Sequence, residues 1–192
     1  MRRRDLLTRS ASAVMAALAF TAGVSPLARA NEGEPGLSLQ TLKAHIDDDG
    51  VVLDYDVSVR LSEALKNALQ RGISVVFVVE ARLFERRWYW TDKSRGQAVR
   101  RWRVTYQPLT RQWRLSIGAF NRHYTSLDEA LDALRRSSRW RIAERPDGNA
   151  DDHYVEFGFR LDARELPRPL QIGLGSQNTW DLSLERQISL QD

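Results

Sequence analysis

The chain offers few residues that could catalyse a reaction or bind a metal, and its three histidines come first. His45, His123 and His153 lie too far apart to form a local metal motif, and none begins the H-E-x-x-H spacing of zinc proteases. His153 directly follows Asp151 and Asp152, which is compatible with a metal or acid–base role. A strand-end histidine that hydrogen-bonds to a neighbouring loop is the commoner arrangement, and we favour it.

Other sequence motifs of known chemistry are missing. The chain has no cysteine, which excludes disulfides, thiolate metal ligands and cysteine nucleophiles. The acidic run Asp47–Gly50 lacks the length and the terminal glutamate of a calcium loop, so it predicts an exposed turn. The run Gly173–Ser176 precedes no helix pattern, and no G-x-S-x-G sequence occurs. We predict no catalytic residue, no metal site and no cofactor; an enzyme would need a site assembled from scattered residues.

The N-terminus resembles an export signal. Arginines at positions 2–4 precede an apolar run at 11–23 that is too short to cross a bilayer, and Ala28–Ala30 resembles a cleavage site. We expect residues 1–30 to be a cleaved signal peptide and residues 31–192 to be a single β-rich domain in the periplasm, with no transmembrane helix. An uncleaved membrane anchor is the alternative, and the short apolar run and the cleavage site disfavour it. The arginine pair is compatible with the twin-arginine route, and the general secretory route is the alternative.

Charge is unevenly distributed along the chain. Five of the 29 basic residues and one of the 25 acidic residues lie in residues 1–30, so the remainder carries 24 of each and no net charge. We therefore expect no nucleic-acid partner. Residues 82–141 nevertheless contain fifteen Arg or Lys against five Asp or Glu. The predicted domain thus has a basic middle segment.

Aromatic residues lie among these basic ones, and together they predict a binding surface. The candidate binding residues are Trp88, Trp90, Arg101, Arg103 and Arg114. Arginines would bind an anionic envelope component, or an acidic surface of an envelope or membrane protein, while tryptophans lie at the rim.

The alternative is a structural role for the same segment. Outward-facing acids on neighbouring strands would pair with the arginines, and Trp102 and Trp113 would be core residues because of their inward parity. The acids in question are Asp54, Asp56, Glu156, Asp162, Asp181 and Glu185. We favour this alternative except for Trp88 and Trp90, which lie beside a turn and are the best candidates for an exposed contact patch.

Most of the elements that must position these residues are predicted to be strands. Alternating apolar residues predict strands at 51–61 and 153–161, and a continuous apolar run predicts a central strand at 73–84. A further strand is predicted at 37–46, before the Asp47–Gly50 turn. A polar turn is expected at Thr91–Gly96. The other expected strands contain Trp140 and Ile142, and then Trp180, Leu182, Leu184 and Ile188.

The stretch Val99–Gly118 predicts a β-hairpin with Pro108 in its turn. The expected inward-facing pairs are Trp102 with Ile117, Val104 with Leu115, and Tyr106 with Trp113. The expected outward residues are Arg101, Arg103, Thr105 and Arg114.

Two short helices are predicted between the strands. Ser62 is a plausible N-cap for a helix to Arg71, followed by Gly72 as its C-terminal stop. Its expected buried side comprises Ala64, Leu65, Ala68 and Leu69. Ser126–Glu129 is a capping box for a second helix that ends near Ser137. The expected fold is mainly β, a β-rich α+β domain resembling an antiparallel β-sandwich with two short helices.

Several long stretches resemble a family of uncharacterised exported proteins of Gram-negative bacteria, built on a domain of unknown function. They are Leu53–Arg82, the Trp88–Trp90 block, Val104–Ser116 and Leu166–Gln171. The resemblance implies a gene beside that of a membrane sensor kinase, and hence a periplasmic accessory role; it supplies no catalytic residue.

Two functions follow from these considerations. The first is a non-enzymatic periplasmic binding or accessory module that acts with a membrane sensor or envelope component through a basic and aromatic surface. The second is an envelope hydrolase or ligand-processing enzyme with a site of no known motif. Carboxylates or a histidine converging in a deep pocket would favour the enzyme.

Overall fold

The computed structural model describes residues 35–167 and 182–191 of the 192-residue chain. Its elements are the strands β1 (Gly36–Asp47), β2 (Gly50–Arg60), β3 (Val75–Glu85), β4 (Lys93–Gln107), β5 (Gln112–Ile117), β6 (Phe120–Tyr124), β7 (Arg136–Ala143), β8 (His153–Leu161) and β9 (Ser183–Ser189), and the helices α1 (Glu63–Gln70) and α2 (Leu127–Arg135). The predicted signal at 1–30, the glycine-rich run at 173–176, Trp180 and Asp181 lie outside the described residues.

The strands form two antiparallel sheets, which confirms the predicted fold class. One sheet has the order β1-β2-β7, and the other has the order β6-β5-β4-β3-β8-β9. Apolar side chains of alternating strand residues pack between the sheets. The largest of them include Leu53, Phe77, Phe157 and Phe159, all at most 1% exposed. Burying each such side chain contributes about 1.5–3 kcal/mol, so this layer supplies most of the stability.

The sheets are joined along one side of the sandwich. The N–H of Ile46 donates to the carbonyl of Gln191 at 3.1 Å, and the N–H of Gln191 donates to the carbonyl of Ala44 at 3.0 Å. These bonds connect β1 to the end of β9. At the far end of the six-stranded sheet lies β6, which pairs with β5 on one side.

The predicted hairpin is β4 and β5, in the predicted register. Trp102 pairs with Ile117, Val104 with Leu115, and Tyr106 with Trp113. Val104, Trp113 and Leu115 are buried on the inner face. Arg101 and Arg103 face outward on β4, as predicted.

Both predicted helices are present and capped as expected. Ser62 Oγ accepts from the N–H of Leu65 at 3.2 Å, and Ser126 Oγ accepts from the N–H of Glu129 at 3.1 Å. The expectation for Ala64 was wrong, since this residue is exposed. Leu65, Ala68 and Leu69 form the buried side of α1, with the i, i+3, i+4 spacing of one helix face. Ala64 lies one residue earlier, which rotates it by about 100° around the helix axis, away from this face.

Two departures from the sequence-based prediction lie within the basic segment, residues 82–141. The polar turn expected at Thr91–Gly96 was wrong, because β4 begins at Lys93 and its pairing with β3 continues to Glu85. A bulge interrupts the register between Leu83 and Phe84. Strand β6 was not predicted, because its sequence has Arg122 at an inward position and no β-branched residue.

Candidate interaction surface

The loop between β3 and β4 exposes three consecutive aromatic side chains. Trp88 is 93% exposed, Tyr89 is 67% exposed and Trp90 is 74% exposed. The rings of Trp88 and Tyr89 meet edge to face, with centroids 4.7 Å apart. A tryptophan buries about 150–250 Å² when it packs, so this loop leaves a large apolar area in water. We call residues 86–92 the aromatic loop.

Asp92 closes the base of the aromatic loop. Its carboxylate accepts the N–H of Arg87 at 3.1 Å and the hydroxyl of Tyr154, on β8, at 2.8 Å. These hydrogen bonds lower the pKa of the Asp92 carboxyl. Desolvation, reinforced by the bond to Asp92, raises the pKa of Tyr154 to about 12.

Arg86 ties the other end of the loop to the neighbouring strands. Its N–H donates to the carbonyl of Asp152 at 2.8 Å, and its guanidinium donates to the carbonyl of Asp151 at 2.8 Å and to Ser189 Oγ at 3.3 Å. The guanidinium also lies over the ring of Tyr154, 5.2 Å from its centroid. The aromatic loop is therefore held in place at its base while its tip is exposed.

A cluster of charges surrounds this base. Arg95 pairs with Glu85, and Arg87 approaches the same carboxylate at 4.0 Å. Desolvation opposes ionisation of Glu85, but the hydrogen bond and charge of Arg95 outweigh it and lower the pKa of Glu85. Basic side chains thus flank the exposed tryptophans.

Arg101 and Arg103 find acidic partners on their own face. Arg101 Nη2 lies 2.8 Å from Asp162 Oδ2 and 3.4 Å from Glu165 Oε1, and Arg103 Nη2 lies 3.4 Å from Glu165 Oε2. Asp162 is buried, and its N–H donates to the carbonyl of Val76 at 2.7 Å. Asp162 is one of the acids expected from the sequence, whereas Glu165 was missed because it lies in a 3₁₀ turn after β8.

Arg114 lies on the same outer face, between Thr105 on β4 and His123 on β6. Its Nε atom is buried and has no hydrogen-bond partner within residues 35–167 and 182–191. Arg100 differs, because it points into the sandwich. Its guanidinium lies 4.6 Å from the ring centroid of Trp140 and donates to Ser137 Oγ at 2.8 Å. The basic segment is therefore divided between the two faces of the sheet.

The structure separates the five predicted binding residues into two groups. Arg101, Arg103 and Arg114 share the outer face of the sheet. Trp88 and Trp90 precede the start of β4 at Lys93, which lies eight residues before Arg101 on the same strand, roughly 25 Å away at about 3.3 Å per residue. One partner contact of ordinary size can reach both groups only if it extends along most of β4.

The three histidines have different local environments. His153 is 1% exposed, and its Nδ1 lies 2.9 Å from the carbonyl of Asn149, which is the loop hydrogen bond favoured from the sequence. His45 lies 3.9 Å from Asp54, and His123 is on β6. No group of three or more His, Cys, Asp or Glu suited to a metal ion occurs among the described residues.

A trough of about 400 Å³ crosses the outer face above Gly158. Glu80, Glu156 and Glu185 line it, together with Arg82. Arg82 contacts Glu156 at 3.0 Å and Glu80 at 3.5 Å, so two of these carboxylates are engaged in ion pairs. The trough therefore does not present a set of free carboxylates.

The fold and this surface define a class: a mainly β, two-sheet domain with an anchored, exposed aromatic loop. No helix in the described part of the chain is long and apolar enough to span a membrane. The chain belongs to the DUF4390 family, a domain of unknown function whose sequence profile matches residues 34–189. No curated protein and no solved structure gives a significant match.

Proposed function

We propose that this protein is an exported, non-enzymatic binding or accessory module that contacts an envelope or membrane protein through its aromatic loop. The observation that carries the proposal is the exposure of Trp88 and Trp90 on a loop whose base is fixed by Asp92 and Arg86. Tryptophan is enriched among the residues that dominate binding energies at protein interfaces. A fixed loop also loses little conformational entropy on binding.

The location of the module rests on the N-terminal sequence. A basic start, a short apolar run and a small-residue site at 28–30 support export from the cytoplasm. The resemblance to exported proteins of Gram-negative bacteria supports the periplasm as the destination. The resemblance to exported proteins encoded beside a sensor kinase supports a membrane sensor as the partner. The basic residues around the aromatic loop favour an acidic surface on that partner.

The outer arginines have a smaller role in this proposal than the tryptophans. Arg101 and Arg103 already contact Asp162 and Glu165, so binding an anion would replace existing ion pairs. Arg114 keeps a buried Nε without a described partner. We retain these three residues as a second candidate contact, to be tested separately from the loop.

The enzymatic alternative receives less support from the geometry. The trough above Gly158 has Glu80 and Glu156 bonded to Arg82, and His153 is buried away from it. Glu185 is the trough glutamate without an ion pair among the described residues, and His153, whose Nε2 has no described hydrogen-bond partner, does not line the trough. The trough therefore does not bring a carboxylate and a histidine together as a catalytic pair would require. A binding role fits the exposed tryptophans better.

Site-specific photocrosslinking tests the proposal. A photoreactive amino acid replaces Tyr89, and a matched protein carries it at Leu109, an apolar residue that is 100% exposed in the β4–β5 turn. In envelope fractions, position 89 should give a discrete adduct that position 109 does not give. Identical adducts from both positions, or none from position 89, would contradict the proposal.

The outer arginines are tested in the same experiment. Replacing Arg101, Arg103 and Arg114 by Glu should leave the adduct from position 89 in place if the loop is the main contact. Loss of the adduct in this variant, with its fold intact, would show that the main contact is made by the outer face that carries Arg101, Arg103 and Arg114.

A further inference from the structure

Strand β6 leaves one edge of the six-stranded sheet unpaired in the described structure, and its side chains are unusual for an inner face. Phe120, Arg122 and Tyr124 have inward parity, because they pair with Ile117, Leu115 and Trp113 of β5. Phe120 is nevertheless 80% exposed, and Arg122 is exposed as well. An inward-facing aromatic side chain that is not covered marks an incomplete part of the sandwich.

A groove runs beside this edge. It has a volume of about 280 Å³ and is lined mainly by apolar side chains, among them Trp102, Leu115, Ile117 and Phe120, with Ala133 of α2 on the opposite wall. Leu131 and Leu134 of α2 are buried, so the helix covers the neighbouring part of the sheet but leaves the groove open. The groove has room for an apolar side chain entering from the edge.

Among the described residues that line this groove, Arg122 is the one with a charged side chain. Its guanidinium makes no ion pair or side-chain hydrogen bond with any residue in 35–167 or 182–191. An acidic side chain placed opposite Arg122 would therefore gain a partner without breaking an existing bond.

We propose that β6 is a docking edge for an extended segment of a partner protein, which adds a strand to the sheet. The bound segment reads apolar-x-acidic-x-apolar, with its acidic residue opposite Arg122 and its apolar residues opposite Phe120 and Tyr124. Main-chain hydrogen bonds supply affinity in this mode of recognition, and alternate side chains supply specificity. The groove beside Phe120 receives one of the apolar side chains.

Charge argues against a second copy of this chain as the occupant. An antiparallel pairing of two β6 strands over all five residues places Arg122 opposite Arg122 of the other copy. Like charges directly opposite one another destabilise a strand pair. A segment with an acid at that position has the complementary charge.

Selection from a random peptide library displayed on phage tests the proposal with the full chain as bait. Enriched peptides should alternate in the proposed pattern, and a synthetic peptide of the enriched sequence should bind in fluorescence anisotropy. Alternate N–H groups of the bound peptide would point toward β6, and methylating those nitrogens should abolish binding because it removes the main-chain hydrogen bonds. Absence of enrichment, enriched peptides without the alternation, or tolerance of N-methylation would overturn the proposal.

A charge exchange gives the sharper arm of the test. Arg122→Glu should weaken binding of the acidic peptide about tenfold. A peptide in which Lys replaces the acidic residue should bind this variant with restored affinity. Arg111→Glu, in the exposed β4–β5 turn, is the matched control and should change neither affinity. Equal effects of the two variants would contradict an edge site at Arg122.

Binding of the same peptide to a loop variant distinguishes the β6 site from the aromatic loop. The Trp88→Ala/Trp90→Ala variant should bind the peptide with unchanged affinity, because the loop lies at the β3–β4 turn and not on β6. A loss of peptide binding in that variant would assign the peptide to the loop and overturn the edge proposal. Failure of loop crosslinking would leave the peptide result unaffected.

Discussion

Tyr154 on β8 donates its hydroxyl hydrogen to the carboxylate of Asp92, 2.8 Å away, and so fixes the base of the aromatic loop to the sheet. The ring of Tyr154 also stacks on Phe84, with centroids 5.3 Å apart. The position of two exposed tryptophans therefore depends on a side chain more than sixty residues further along the chain.

Removing the Tyr154 hydroxyl should make the aromatic loop more mobile and should change how the stability of the protein depends on pH. The pKa of Asp92 is lower in the folded protein, so its stabilising effect is complete above the unfolded value of about 4 and is lost as the pH falls through the folded value. In Tyr154→Phe, less stability should be lost as the pH falls, because Asp92 has lost one hydrogen bond to its charged form. Amide hydrogen exchange in residues 86–92 should be faster at neutral pH. Tyr106→Phe is the control; equal exchange in the two variants would contradict the assigned anchor.

Two glycines with opposite surroundings give a matched pair of predictions. A Cβ at Gly96 would lie 2.6 Å from the Cβ of Ala143 on β7, whereas a Cβ at Gly158 has no atom within 4 Å. Gly96→Ala should lower the free energy of unfolding by about 1–3 kcal/mol, because the sheets must move apart. Gly158→Ala should be neutral or stabilise by up to about 1 kcal/mol. Urea unfolding of both variants measures the difference, and equal values would refute the close approach of β4 to β7.

Reversing the charge of Arg101 tests whether the outer arginines form ion pairs within the protein. Arg101→Glu would place a third carboxylate beside Asp162 and Glu165, and Asp162 is buried. We expect a loss of about 1–2 kcal/mol in the free energy of unfolding. Arg111→Glu, in the exposed turn, should change it by less than about 0.5 kcal/mol. A neutral effect of Arg101→Glu would show that the arginine is available to a partner.

The buried Tyr55 predicts a loss of stability at alkaline pH. Burial raises the pKa of Tyr55 to about 12, and nearby Arg100 opposes part of the shift. The unfolded chain ionises near pH 10, so stability should fall as the pH rises above 10. A shift of this size corresponds to roughly 2–3 kcal/mol at most. Tyr55→Phe should flatten this decline in chemical unfolding between pH 9 and 11, and an unchanged slope would contradict it.

The positions of the core strands were predictable from the sequence because several of them alternate apolar and polar residues and β3 is a continuous apolar run. The inward series from His153 to Leu161 and the β4–β5 register both follow from residue parity. Strand β6 escaped prediction because Arg122 breaks that parity signal. The bounds of β4 were misjudged because Lys93–Gly96 reads as polar turn residues, although these residues pair with β3.

The candidate site was predictable only in its exposed part. Trp88 and Trp90 were singled out because they lie beside a turn, and both are exposed. Their anchors were not, because Asp92 and Tyr154 meet through a contact between residues 62 positions apart. The pairing of Arg103 with Glu165 was missed because Glu165 lies in a 3₁₀ turn after β8 and not on a strand. Such contacts depend on strand order, which local sequence patterns do not encode.

The thermal unfolding of the Trp88→Ala/Trp90→Ala variant, measured together with its retention on envelope fractions, tests the central claim most directly. Because these side chains are 93% and 74% exposed, the free energy of unfolding should change by less than about 0.5 kcal/mol while retention is lost. Leu109→Ala, another fully exposed apolar position, should alter neither property. An unfolded double variant, or a folded one retained as well as the wild type, would contradict the assignment of the aromatic loop as the contact.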